Sequence, residues 1–403
     1  MKKTTEVFLQ ALKCALNGKK MNECTLSADQ WEEVFALSMQ HSVLPLVYDA
    51  VYPVLNLDVQ KKQSIKKQVR QLMMLQMRKT QEFMNLYQSM KQENIHCLVV
   101  KGYILRMCYP NQDLRLSSDE DLLINELDWQ KCQDFLMKSN LNCIKEEEDE
   151  CSYRSSGALY LEVHRQLFPK DSEAYGQWNK YFVDCFENSA VMDCGVVSLN
   201  VTDHLIYLIL HALKHFMHSG FGIRQVCDVN MFVNHYGHQI NWKHVSDTLK
   251  EVHGEVFAES LFQIGKKYLN LDESKLGDCF QPLMVDEMDM LMDLLEGGVY
   301  GGADLTRKHS SNITLDAIKQ SHSGKKTRTN VLSSLFPSYK TMASRFVYVK
   351  KHPLLLPVSW LHRIVLYSKE TLNSSNNNAL KSVQLGQKRV KLMKKYKIID
   401  DKK

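Results

Sequence analysis

Between His96 and Ile124 the chain reads HCLVVKGYILRMCYPNQDLRLSSDEDLLI, and few folds accommodate that order of residues. A short β-rich run, Ile95 to Val100, meets Lys101-Gly102. An apolar helical turn through Ile104, Leu105 and Met107 follows, then a second β-rich run from Leu114 to Ile124. That second run carries Asp119 and Asp121. Residues i and i+2 of an extended strand point to one face, so the two carboxylates are expected to project together. Adjacent carboxylates repel, and one takes up a proton unless a cation shares the site. A Mg2+ ion whose shell is completed by phosphate oxygens resolves the conflict, which points to nucleotide chemistry. A glycine between strand and helix also lets backbone N–H groups approach a phosphate, with the helix end favouring the anion.

The flanks have a different period. Residues 1–94 read as helical. Val7, Phe8, Leu12, Ala15 and Leu16 recur at helical spacing, Ser27-Ala-Asp-Gln30 is a capping box, and Ile65 to Met90 traces a long apolar stripe from about Val59 to Glu93. From 95 to 200 the pattern is a mixed α/β core. It has a third strand over Leu141–Lys145, a helix over Leu127–Lys138, and Cys151–Arg154 paired with Ala158–His164 across Ser155-Ser-Gly157. Residues 201–296 return to helices, with Thr202-Asp203 as the expected cap of a helix over Leu205–Met217. Residues 297–334, rich in Gly, Ser, Thr and Lys, predict a mobile loop, and 335–403 a C-terminal helical segment with a basic tail. The expected class is α+β: a mixed sheet with helices, flanked by helical N- and C-terminal regions.

Composition excludes several classes. In 403 residues, 44% hydrophobic and 24% charged content argues against global disorder. The net charge of +5, much of it in Lys388–Lys397, gives no case for a nucleic-acid partner. Polar residues interrupt the N-terminal apolar run, and no stretch approaches the roughly 20 apolar residues of a membrane span. Eleven cysteines without a CxxC pair read as unpaired thiols of a cytoplasmic protein. The acidic run Glu146–Glu150 reads as a solvated loop.

Two further groups bear on chemistry. Glu162 sits between Leu161 and Val163, and a neighbouring strand could bring it beside Asp119 and Asp121 as a third carboxylate. His164 shares its face, as a substrate contact or a structural residue. His211 and His215 stand i,i+4 on a helix, with His218 one turn on. They match metal-ligand spacing but lack the Glu of an HExxH site. A metal hydrolase site, helix packing by His211 and Asp228, and lining of a nucleotide cleft by His215 and Arg224 stay open.

Strand, Gly turn, helix, D-x-D strand and a later strand acid together resemble the DNA polymerase β-like nucleotidyltransferase superfamily. VVKGYILRMCYP, RLSSDEDLLI and LEVHRQLF are similar to one bacterial branch of it, uncharacterised nucleotidyltransferase-like proteins with helical regions on both sides of the core. His211-Ala-Leu-Lys-His215, Arg224, Cys227-Asp228, Leu355-Leu-Pro357, Trp360 and Arg363 extend the resemblance over nearly the whole chain.

The resemblance implies a polymerase β-like nucleotidyltransferase core. Asp119, Asp121 and Glu162 would be its catalytic metal carboxylates for Mg2+ or Mn2+, and Lys101, Gly102, Arg115 and Ser118 would face the nucleotide. His164, His215 and Arg224 would line a substrate cleft. The implied reaction transfers a nucleoside monophosphate from an NTP to a hydroxyl or phosphate acceptor (small molecule, sugar or protein) and releases pyrophosphate. Tyr103 where relatives carry Ser, Glu120 between the aspartates, and Glu162 in place of Asp are departures. They keep open an inactive, nucleotide-sensing or interaction protein on the same fold.

Overall fold

The computed structural model describes residues 1–298, 305–322, 339, 342–343, 346–372 and 379–399. Helices α1 (Lys3–Leu16), α2 (Ala28–Gln40) and α3 (Leu44–Val51) pack on one another through Phe8, Leu12, Trp31 and Val47, all fully buried. The Ser27/Gln30 capping box forms in both directions and opens α2. Asp58 caps the long helix α4 (Val59–Gln92), whose Phe83, Tyr87 and Met90 face the sheet region, while Met77 of the expected stripe is exposed.

Strands β1 (Cys97–Val100), β2 (Glu120–Ile124), β3 (Asn142–Glu146), β4 (Glu150–Arg154) and β5 (Tyr160–His164) form one sheet in the order β1-β2-β5-β4-β3. β2 and β5 pair parallel, and the other neighbours pair antiparallel. α5 (Gly102–Met107) links β1 to β2, and α6 (Trp129–Lys138) links β2 to β3. The edge strand β3 is exposed throughout, which is where a polar, acidic strand belongs. A two-stranded ribbon, β6 (Ala190–Val191) and β7 (Val197–Ser198), leads to helices α7 (Val201–Met217), α8 (Ile223–Tyr236), α9 (Trp242–Glu251) and α10 (Glu255–Ile264).

α4 sets the sheet in place. Its Glu82 accepts from the backbone N–H groups of Ala158 and Leu159 (3.0 and 3.1 Å) and from Ser155 Oγ (2.9 Å), pinning the β4–β5 turn. Its Gln76 Oε1 accepts from Ser117 N–H (2.7 Å), and Lys79 Nζ donates to Ser117 O (2.9 Å), pinning the entry to β2.

Several expectations need correction. The strand expected over Leu114–Ile124 begins only at Glu120. Residues Gln112–Leu114 form a 3-10 turn, and Arg115 and Ser117 are drawn to partners on α8 and α4. Asn200, not Thr202-Asp203, caps α7, accepting from Asp203 N–H. The span expected as a loop contains helix α12 (Leu305–His322). Its Arg307 pairs with Asp293 of α11 (Met288–Gly297) at 2.5 Å, and its Thr314 hydroxyl donates to Met217 O at 2.6 Å. The rest of that span, 299–304 and 323–334, lies outside the described residues.

Among the described residues the C-terminal part contains α13 (Val347–Lys351), α14 (Leu356–Leu372) and α15 (Ala379–Lys395). The tail is not merely basic. Arg389 is buried and donates to the carbonyls of His218 and Phe216, and Val390, Met393 and Tyr396 join the main core. Among the described residues no helix is long and apolar enough to cross a membrane.

Candidate active site

The parallel register of β2 and β5 places Asp121 directly beside Glu162, and His164 follows two residues on along the same face. One ligand atom each from Asp121, Glu162 and His164 lies within 4.8 Å of the others. His164 Nε2 is 3.3 Å from Asp121 Oδ1 and 3.9 Å from Glu162 Oε2, and its Nδ1 is 3.5 Å from Glu150 Oε2. Asp119 sits just before β2 rather than within it. It lines the same cleft but is not one of that close trio.

The cluster forms the floor of a cleft of about 190 Å³. Its far wall comes from the buried helix α7, through Tyr207, His211, Lys214 and His215, and from Arg224 and Gln225 of α8. Asp149 and Glu150 close one side. The acidic run expected as a solvated loop is therefore a turn between two strands, with its last two acids turned to the site, because sheet order puts β4 next to β5.

Lys101 occupies a left-handed conformation (φ 56°), which directs its ammonium to 2.8 Å from Asp121 Oδ1 and 3.5 Å from His211 Nε2. Burial works against the charged form of Asp121, but Lys101 and His164 outweigh it and hold the carboxyl at about 2. Glu162 behaves oppositely: burial, then Asp121 and Asp119, push its carboxyl up to about 7. Burial first, and the neighbouring carboxylates second, therefore set Glu162 apart from Asp121. On α7, burial and then Lys101 lower Lys214 to about 8, and burial with neighbouring lysines drives His211 and His215 well below the ordinary histidine value. His211 and His215 face each other through Nε2 atoms 3.0 Å apart. Among the described residues they belong to no group of three ligands, so nothing in the geometry favours a hydrolase site.

Of the remaining expected residues, Gly102, Arg115 and Arg224 also line the cleft, each with partners of its own. Arg115 is fully engaged by Asp228, through Nε (3.0 Å) and Nη2 (2.8 Å), with Tyr109 Oη donating to the same carboxylate (2.8 Å). Its charge is compensated by Asp228, and from the cleft wall it ties the approach to β2 onto α8. Gly102 opens α5, but the Tyr103 N–H of its first turn is taken by Glu120 Oε2 at 2.8 Å. A Cβ on Gly102 would stand 2.1 Å from that oxygen, so the glycine first serves the carboxylate behind it. Glu120 points to the opposite face and is buried, held by Arg106 Nη1 (2.7 Å) and Ser117 Oγ (3.1 Å). Ser118 is exposed and donates to Asp119 Oδ1 at 3.0 Å. Arg224 Nη1 donates to Leu116 O at 3.0 Å. Its buried Nε, like His211 Nδ1, has no hydrogen-bond partner among the described residues.

Lys214 and Tyr207 were not singled out from sequence, and Asp149 and Glu150 were read only as part of a solvated acidic run. The signal for the first two is a polar strip at 207, 211, 214 and 218 on an otherwise apolar helix. The acids carry no local signal.

The donor set of two carboxylates and an imidazole, with Asp119 at its edge, fits a hard divalent ion such as Mg2+ or Mn2+. A family model described as uncharacterised nucleotidyltransferase matches residues 27–270, more than half of the chain. No curated protein and no solved structure matches.

Proposed function

We propose that this chain, which belongs to the uncharacterised nucleotidyltransferase family, moves a nucleoside monophosphate from an NTP to a hydroxyl or phosphate acceptor, assisted by Mg2+ or Mn2+, and releases pyrophosphate. The observation that carries this reading is the in-register pairing of Asp121 with Glu162, with His164 on the same face of a cleft also lined by Asp119. Asp119, Asp121 and Glu162 would hold the ion. When bound, it would offset triphosphate charge and favour the ionised form of the attacking hydroxyl.

The chain's own groups supply the positioning. Lys101, Lys214 and Arg224 set cationic side chains around the acidic floor, where phosphate oxygens would meet them. Ser118 steadies Asp119, Arg115 braces the loop that carries it, and Gly102 leaves room for the Glu120 carboxylate behind β2. His164, joined to Asp121 and near Glu150, and His215 on the far wall border the space an acceptor would enter. The acceptor oxygen attacks the α-phosphorus, the bond to the β-phosphate oxygen breaks, and pyrophosphate leaves with that electron pair. The acceptor proton passes to a cleft carboxylate or to water. Because the chemistry is largely positioning and charge neutralisation, a buried, oriented acidic floor supports it better than a nucleophilic residue would.

The test incubates the purified chain with each α-labelled NTP, Mg2+ or Mn2+, and cell extract as the source of acceptors. Transfer of label with matching pyrophosphate release, lost in Asp121→Asn, is expected. Tight NTP binding without transfer under every condition would instead assign the chain a sensing role.

A further inference from the structure

The charge of this chain is unevenly distributed. Residues 317–399 contain seventeen Lys or Arg and one acid, Glu370, a net of +16, so the rest of the chain sums to −11. Between Asp316 and Glu370 no carboxylate occurs at all. A separation of this size within one chain points to a polyanionic partner for the basic part.

The same part exposes an apolar stripe. Leu354, Val358, Leu361 and Val365 stand at i, i+4, i+7 and i+11, the first in the turn before α14 and the others on it. Their relative exposures are 95%, 51%, 65% and 51%. The other side of α14 is already engaged. Ser359 and Arg363 are buried, and Leu356, Trp360 and Leu366 pack on a small cluster of Met342, Phe346 and Val349 that is separate from the main core. The stripe therefore belongs to a helix held by one face and open on the other. Lys350, Lys351 and His352, all exposed, come immediately before it.

We propose that α13 and α14 form a surface that seats the protein on an anionic lipid bilayer, the aliphatic stripe entering the headgroup–acyl boundary and the lysines meeting lipid phosphates. An aliphatic face with basic flanks is the composition of a helix lying in the membrane plane, and α14 does not need to cross the bilayer to do so. A nucleic acid would satisfy the charge but offers no apolar phase for Leu354, Val358, Leu361 and Val365. Two of the more distant lysines are committed elsewhere: Lys388 pairs with Glu296, and Lys395 with Asp286 and Asp289. The lysines next to the stripe carry the attraction.

The experiment floats the full-length protein with vesicles of phosphatidylcholine alone and with equal parts phosphatidylcholine and phosphatidylglycerol. Co-flotation with the anionic vesicles only is expected, and it should fall at about 0.5 M salt. Val358→Ser with Leu361→Ser, which leaves charge unchanged, should lower the bound fraction about tenfold. Lys350→Ala and Lys351→Ala should each weaken binding about fivefold. Leu354→Ser, in an exposed turn, repeats the apolar test without bearing on folding, and NTP binding should be intact in all of these variants. Absence of flotation with anionic vesicles overturns the proposal, as does flotation unaffected by the serine variants. Binding to a DNA or RNA duplex that displaces the vesicles and ignores the serine variants would identify a nucleic-acid surface and overturn it equally.

Discussion

Glu120 and Asp121 are neighbours in the chain and are both 1% exposed, yet they sit on opposite faces of β2 and do different work. Behind the strand, Glu120 has a full set of protein partners: Arg106 at 2.7 Å, Ser117 at 3.1 Å and Tyr103 N–H at 2.8 Å. In front, Asp121 shares one lysine and one histidine with Glu162, and Glu162 remains pushed up to about 7 by burial and by Asp121 and Asp119. A buried acid with both oxygens answered by protein donors holds a fold together. A buried acid crowded by others, at the floor of a cleft, is organised for something the protein does not itself provide. The contrast separates scaffold from site within two residues.

The largest effect should come from the front face. Asp121→Asn keeps size and hydrogen bonding but removes the charge. It should lower NTP transfer by about 10³-fold or more, roughly 4 kcal/mol in the barrier, with a smaller fall in stability than in Glu120→Gln because Asp119 and Glu162 remain near Lys101. Glu120→Gln should invert that pattern. It leaves Arg106 buried without its counter-charge, which costs about 3–5 kcal/mol of stability. Urea unfolding would show this, and NTP affinity per folded molecule should hold. If Glu120→Gln abolished transfer in fully folded protein, the division between the two faces would fail.

A third prediction concerns a buried polar residue of the scaffold kind. His41 is fully buried and joins the N-terminal helices to later ones, with Nδ1 accepting from Ile223 N–H and Nε2 donating to Leu295 O, both 3.3 Å. Burial lowers it to about 4 from an unfolded value of 6.5. The unfolded chain therefore binds the proton first. The stability from neutral His41 is complete above pH 6.5, declines as pH falls through 6.5 toward 4, and levels off below. The loss is roughly 3 kcal/mol. His218 and His204, lowered by burial to about 4 and 3, act in the same direction. Thermal midpoints measured from pH 7 to 4 should fall, and less steeply in His41→Gln.

The same division explains what could be read from sequence. Helices α1, α2, α4 and α7 and all five main strands were legible, because amphipathic period and caps are local. The shared face of Glu162 and His164 followed from alternation alone. The start of β2 was not legible, because Arg115 and Ser117 alternate as a strand would and are diverted by Asp228 and Gln76, both distant in sequence. Nor was α12, a Ser- and Thr-containing segment held by Asp293 and Met217 O rather than by its own propensity. Asp149 and Glu150 reach the cleft only through the order β2-β5-β4, which local patterns do not encode. Alternation did put Glu120 on the far face, but its partner Arg106 lies on a different element, where no period could point to it.

Gly102 sits where the two faces meet, and it gives the finest test. The sequence argument assigns it to phosphate approach. The structure adds a φ of +27° and a Cβ position 2.1 Å from Glu120 Oε2. If the carboxylate is the main reason for glycine, Gly102→Ala should cost about 1–3 kcal/mol from strain and overpacking. Part of that cost should vanish when Glu120 is also changed to Ala, since the clash goes while the φ strain stays. A double-mutant cycle read by urea unfolding would then show coupling between positions 102 and 120 above about 0.5 kcal/mol. Additive effects on stability, with the loss confined to KM for NTP, would return Gly102 to the nucleotide and move the boundary between scaffold and site one residue back along the chain.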